Sequence, residues 1–132
     1  MIRLAGNLGE PVVNTDFSVE ERRQGDAVIL VVGGELDLRT SPELEERLDG
    51  AFAGGAELVI LDLRMIEFMD STGLRVILGS HQRAKETGRR FALVRGADQV
   101  ERVLTLTGVR DLLTIVDGPE ELLAAGETSQ DS

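Results

Sequence analysis

Two short stretches of this chain are too apolar to alternate. Ala27 to Val32 is apolar at every position, and Leu58-Val59-Ile60-Leu61-Asp62-Leu63 is interrupted only by Asp62. A strand with one face in water alternates polar and apolar residues, whereas a strand covered on both faces does not. Each run is followed by a helical pattern. After the first, Thr40 or Ser41 offers an N-cap, Pro42 suits the first turn, and Glu43, Glu45 and Glu46 favour the positive end of the helix dipole. Leu44, Leu48, Ala51 and Phe52 then make an i, i+4, i+7, i+8 stripe that Gly54-Gly55 ends. After the second run, Leu74, Ile77, Leu78 and Ala84 form a helical stripe that closes near Thr87-Gly88.

The flanks complete the order. Phe17 to Glu21 reads as an edge strand, and a turn at Gln24-Gly25-Asp26 joins it to Ala27–Val32 in a hairpin. Phe91 to Val94 is a short strand. Asp98 to Leu106 is a helix with Val100, Val103 and Leu104 inward and Gly108 as its stop. Leu112 to Val116 is a last strand and Pro119 to Ala125 a last helix. The order β-β-α-β-α-β-α-β-α predicts an α/β fold, a mixed but mostly parallel sheet packed with helices through right-handed crossovers. A chain of 132 residues is one domain's worth. Residues 1–16 read as an N-terminal arm, 17–125 as the domain and 126–132 as a flexible tail.

Sheets of this kind carry their sites beyond the C-terminal ends of the strands. Gly33–Asp37 and Phe68–Ser71 leave the ends of the two buried runs. If those strands are neighbours, Asp37, Asp70 and Ser71 meet on one face. Ser71 falls where a helix starts. The simplest role for Ser71 or Thr72 is an N-cap. A phosphate on Ser71 would instead meet the free N–H groups and positive dipole end of the helix. It would bring about −1.5 to −2 charges. Two like charges about 6 Å apart at an effective dielectric of about 20 repel by roughly 3 kcal/mol. Half of that changes a partner's affinity by about an order of magnitude.

Around the serine, Met65, Ile66, Phe68 and Met69 read as an apolar loop, with Ile66 and Phe68 expected inside and Met69 as an exposed, adaptable contact. Gly73 keeps the backbone beside the serine uncluttered. Arg75 reads as a solvated helix charge, or as a partner for the phosphate or for a carboxylate on another protein.

Other chemistries find little support. There is no Cys, and His81 is the single imidazole. Asp37 and Asp70 as a catalytic pair would have no metal cluster or imidazole in either motif. No Gly-x-x-x-x-Gly-Lys-Ser/Thr cradle is present. A net charge of −10 opposes direct contact with nucleic acid or anionic lipid. With 3% aromatic residues and neither Trp nor Tyr, base-stacking platforms are not expected. No run approaches membrane-spanning length, and the first residues lack the apolar core of a signal peptide. The expectation is a cytoplasmic, non-enzymatic protein without cofactor or metal.

Four segments together resemble the STAS domain of the anti-sigma factor antagonist family. They are Gly34-Glu35-Leu36-Asp37 with Thr40; Asp62-Leu63-Arg64 with Phe68-Met69-Asp70-Ser71-Thr72-Gly73-Leu74; Leu93-Val94 with Val100-Glu101-Arg102-Val103-Leu104; and Leu106-Thr107-Gly108-Val109. The resemblance implies a partner switch. The unphosphorylated form binds an anti-sigma factor, often also a serine kinase of the histidine-kinase-like ATPase fold, and frees the sigma factor. Phosphorylation disables binding and a metal-dependent serine phosphatase restores it. By position, Ser71 is the implied phosphoacceptor, with Thr72 the alternative that stressosome-type relatives suggest. Asp37, Met69, Asp70, Ser71, Thr72, Gly73, Leu74 and Arg75 are the implied contact region. A Gly commonly follows the motif Leu in this family, and here that position is Arg75. The protein is expected to be a monomer or weak homodimer. The alternative is a non-enzymatic STAS scaffold of a stressosome-like or transport-associated complex. A small nucleotide-binding enzyme is the third reading.

Overall fold

The computed structural model of this protein describes residues 17–123. The apolar runs are the two central strands of a five-stranded sheet. Strand β1 (Phe17–Gln24) pairs antiparallel with β2 (Ala27–Leu36) through a two-residue turn, and Gly25 there takes φ +60. Helix α1 (Ser41–Ala53), strand β3 (Leu58–Met69), helix α2 (Ser71–Thr87), strand β4 (Arg90–Val94), helix α3 (Asp98–Leu106) and strand β5 (Ile115–Val116) follow. Residues 120–123 are helical; the rest of the expected last helix, the arm and the tail lie outside the described residues.

The strands lie in chain order, β1-β2-β3-β4-β5, and β2 to β5 run parallel. When each new strand is laid on the same side of the last, right-handed crossovers put every helix on one face. Accordingly α1, α2 and α3 all feed a single core. Leu44, Leu48 and Phe52 of α1, Leu74 and Ile77 of α2, and Val100 and Leu104 of α3 pack there against Leu30, Leu61 and Leu63. On the opposite face Ile29, Leu58, Ile60 and Val94 are met by Leu122 and Leu123.

Helix ends follow the expected signals. Gly88 ends α2 in the left-handed conformation, φ +72, and its neighbour Arg89 donates back to the Ala84 carbonyl. The final strand is shorter than expected, because Arg110–Leu112 forms a 3-10 turn that leaves Leu112 exposed.

The largest difference lies in β3. Residues 65–69, expected as a loop, continue the strand, and β2 likewise runs on through Gly33 and Gly34 to Leu36. Two bulges make this possible. Between Val31 and Gly33, and again between Gly34 and Glu35, β3 inserts an extra residue against β2. Each insertion shifts the inward position by one. The residues of β3 that enter the main core therefore run Val59, Leu61, Leu63, Ile66, Met69, with a spacing of three at the end instead of two.

Candidate functional site

The adjoining ends of β2 and β3 build the site. Leu36 pairs with Met69, and the Asp70 N–H donates to the Leu36 carbonyl at 3.2 Å. Asp37 and Asp70 thus leave neighbouring strands side by side, each at the entry to a helix.

Asp70 is the N-cap of α2. It is extended (φ −110, ψ −169), and its Oδ1 accepts from Thr72 N–H at 2.9 Å and from Gly73 N–H at 3.2 Å. Ser71, expected at the cap, is the first helical residue instead. Asp wins the position because the strand ends one residue earlier, so its short carboxylate reaches the second and third helical N–H groups. The Ser71 side chain is exposed, and its hydroxyl has no hydrogen-bond partner among the described residues.

Asp37 organises the loop into α1. Its Oδ1 accepts from Arg39 N–H at 3.0 Å and Thr40 N–H at 3.2 Å. Thr40 does not cap α1 through its side chain. Its buried hydroxyl donates to the Glu35 carbonyl at 2.7 Å and accepts from Asp37 N–H at 3.0 Å, which closes the turn on itself. Both helix entries are tied by a carboxylate.

Burial divides the remaining expected contact residues. Met69, expected at the surface, is 1% exposed, while Phe68, expected inside, is 42% exposed. The bulges exchange them: Glu35 opposes Phe68 and Leu36 opposes Met69, so Met69 points into the core. Gly73 and Leu74 are also buried and shape the surface from beneath. A Cβ on Gly73 would lie 2.8 Å from Leu36 Cγ and 2.9 Å from Met69 Cγ, so the glycine is there for close approach. Thr72 is half-buried, and Arg75 is exposed without an ion-pair partner among the described residues. Exposed apolar area near the strand ends comes from Met65, Phe68 and Leu38.

A family model for the STAS domain matches residues 18–122. The chain belongs to the STAS family. This STAS domain is 30% identical over 105 residues to the anti-sigma-B factor antagonist of Staphylococcus aureus, a match that covers 80% of this chain and 97% of that one. The crystal structure of an anti-sigma factor antagonist from Mycobacterium paratuberculosis is similar with a TM-score of 0.76 at 23% identity, over 86% of this chain and 97% of that one. SpoIIAA, a Bacillus cell fate determinant, in its phosphorylated form is similar with a TM-score of 0.64 at 22% identity, over 83% and 97%. Both structures speak to the fold.

Two features of the STAS domain had no local signal. Gln99, at the start of α3, bonds both backbone groups of Met69 from thirty residues away. Leu38 stands exposed on the turn that Asp37 and Thr40 tie. A third pair belongs elsewhere. Asp62 is buried and takes Arg64 in a two-pronged contact, Nε to Oδ1 at 3.0 Å and Nη2 to Oδ2 at 2.7 Å, which raises the guanidinium above its ordinary pKa. Glu120, in the segment that crosses the second face, adds to that shift. Among the described residues no three His, Cys, Asp or Glu side chains are grouped to hold a metal, and no helix is long and apolar enough to cross a membrane.

Proposed function

We propose that this STAS domain is an anti-sigma factor antagonist. Its unphosphorylated form binds an anti-sigma factor that is also a serine kinase, and a phosphate on Ser71 switches binding off. The observation that carries this reading is the Ser71 hydroxyl, exposed and without a hydrogen-bond partner among the described residues, one residue after a carboxylate cap. The name of the Staphylococcus aureus relative supports the class of partner, and the phosphorylated state of SpoIIAA supports modification within this fold. Thr72 is the poorer acceptor, because it is half-buried. A serine phosphatase resets the switch, and the domain itself performs no chemistry.

The cap geometry gives the switch a physical basis. The N–H groups of Thr72 and Gly73, which would otherwise receive a phosphate, are already bonded to Asp70. A phosphate on Ser71 therefore meets a carboxylate rather than open donors. At about 6 Å and an effective dielectric of about 20 the repulsion is roughly 3 kcal/mol per unit charge pair. The phosphate is left pointing outward, where it also repels any partner carboxylate and obstructs contact with Phe68 and Leu38. The fold is untouched, and a surface already carrying Asp37 and Asp70 becomes more negative and bulkier.

The test is intact-mass analysis after incubation with ATP and serine kinases of the histidine-kinase-like ATPase fold, on wild type, Ser71→Ala and Thr72→Ala. One phosphate, lost only in Ser71→Ala, is the expected result. Loss only in Thr72→Ala moves the acceptor, and no phosphate with any such kinase overturns the switch.

A further inference from the structure

Strand β3 outruns its neighbour. Its pairing with β4 stops where Asp62 meets Val94, yet β3 continues to Met69. On the β2 side, the next N–H, that of Asp70, bonds to Leu36. Along a parallel strand, backbone groups turn alternately to the two neighbours. The Met69 N–H and carbonyl therefore face the side where β4 has ended. Gln99 occupies that place. Its Oε1 accepts from Met69 N–H at 2.9 Å and its Nε2 donates to the Met69 carbonyl at 3.2 Å. A primary amide offers the same donor and acceptor as a peptide group, so one side chain does the work of a missing strand residue.

We propose that Gln99 is a positioning residue for the Ser71 switch, holding the strand end two residues before the serine so that its hydroxyl is presented in one place. The inference rests on Ser71 being the residue that is phosphorylated. The chain passes from strand to helix within a single residue, Asp70, so the placement of Ser71 follows directly from that of Met69. The holder is itself fixed. Val100 and Leu104 anchor α3 with no exposed surface, and Gly96 approaches the Leu63 carbonyl so closely that a Cβ would lie 3.0 Å from it. Glu101 pairs with Arg95 at 3.3 Å and with Arg110 at 2.6 Å. Without the amide, Met69 would keep a partly buried N–H and carbonyl with no partner, and the strand end would fray.

Two variants separate positioning from stability. Gln99→Met keeps the length and makes neither bond. Gln99→Glu keeps the acceptor for Met69 N–H and places a carboxylate oxygen against the carbonyl. Amide hydrogen exchange at Met69 is compared with that at Leu61, mid-strand in β3. The steady-state kcat and KM for Ser71 phosphorylation are measured at 25 °C with a recombinant serine kinase of the histidine-kinase-like ATPase fold from the same genome. In Gln99→Met, exchange at Met69 relative to Leu61 is expected to rise by about tenfold or more. The phosphorylation kcat is expected to fall by about fivefold or more, because a misplaced hydroxyl loses alignment with the γ-phosphate. Gln99→Glu should fall between wild type and Gln99→Met. A loss of stability alone leaves kcat and KM unchanged while the variant is folded. An unchanged Met69 to Leu61 exchange ratio, or unchanged kcat and KM beside a raised ratio, overturns the proposal. If wild type takes no phosphate, the phosphoswitch falls and the exchange ratio alone decides whether Gln99 holds the segment.

Discussion

Gly73 sits where the first turn of α2 crosses the end of the sheet, and its missing side chain lets helix and strand touch. Gly73→Ala gains helix propensity of about 1 kcal/mol but forces Leu36 and Met69 apart, and overpacking costs about 1–3 kcal/mol. Both neighbours are fully buried, at 0% and 1% exposure, and have nowhere to turn. The expected net loss is up to about 2 kcal/mol, read as a lower urea midpoint at unchanged slope. Ser41 is the opposite case. Its hydroxyl is buried at the first helical position of α1 and has no hydrogen-bond partner among the described residues. Ser41→Ala removes a group that lost its hydration for nothing, so the urea midpoint should rise, by about 0.5–1 kcal/mol in stability. Neither residue announces its role in the sequence. The clash at Gly73 involves Leu36, which is distant along the chain, and Ser41 shares its composition with any helix start.

Strand β3 shows why elements were legible while their ends were not. Its first half, Leu58 to Leu63, is recognisable because a fully covered strand has no polar side to show. Beyond it, Arg64 and Glu67 break the apolar run, and period-two reasoning finds no strand there. The strand persists because bulges absorb two extra residues, and a bulge has no fixed residue signature when the backbone opposite supplies the glycines. That one feature accounts for the exchanged roles of Phe68 and Met69. The helices fared better, since the stripes of α1, α2 and α3 depend on their own sequence alone. A pair of variants reads out the inversion. Met69→Ala should cost about 2–5 kcal/mol of stability, as a buried large-to-small change does. Phe68→Ala should cost less than about 1 kcal/mol and instead weaken partner binding by about fivefold or more, measured by titration calorimetry.

For the whole molecule the governing quantity is charge. Twenty-four acidic residues face fourteen basic ones, and the net −10 is carried by a chain of 14.3 kDa. Such a surface repels itself, and salt screens the repulsion over a Debye length of about 10 Å at 0.1 M. Raising sodium chloride from about 0.02 to 0.3 M should therefore lift the thermal midpoint by a few degrees, measured by circular dichroism. A fall would mean that pairs such as Arg83–Asp49 and Arg95–Asp117 contribute more than the net charge takes away. The other global property is the sheet order, which equals the order in which a ribosome delivers the strands. Each strand finds its neighbour already made, and the two carboxylate-tied helix entries can form while the last third of the chain is still being synthesised. Gln99 arrives thirty residues after Met69. At about 5–20 residues per second this is a delay of roughly 2–6 s. Ser71 thus leaves the ribosome several seconds ahead of the amide that holds its backbone, and a partner that requires the held form will pass over nascent copies and engage finished ones.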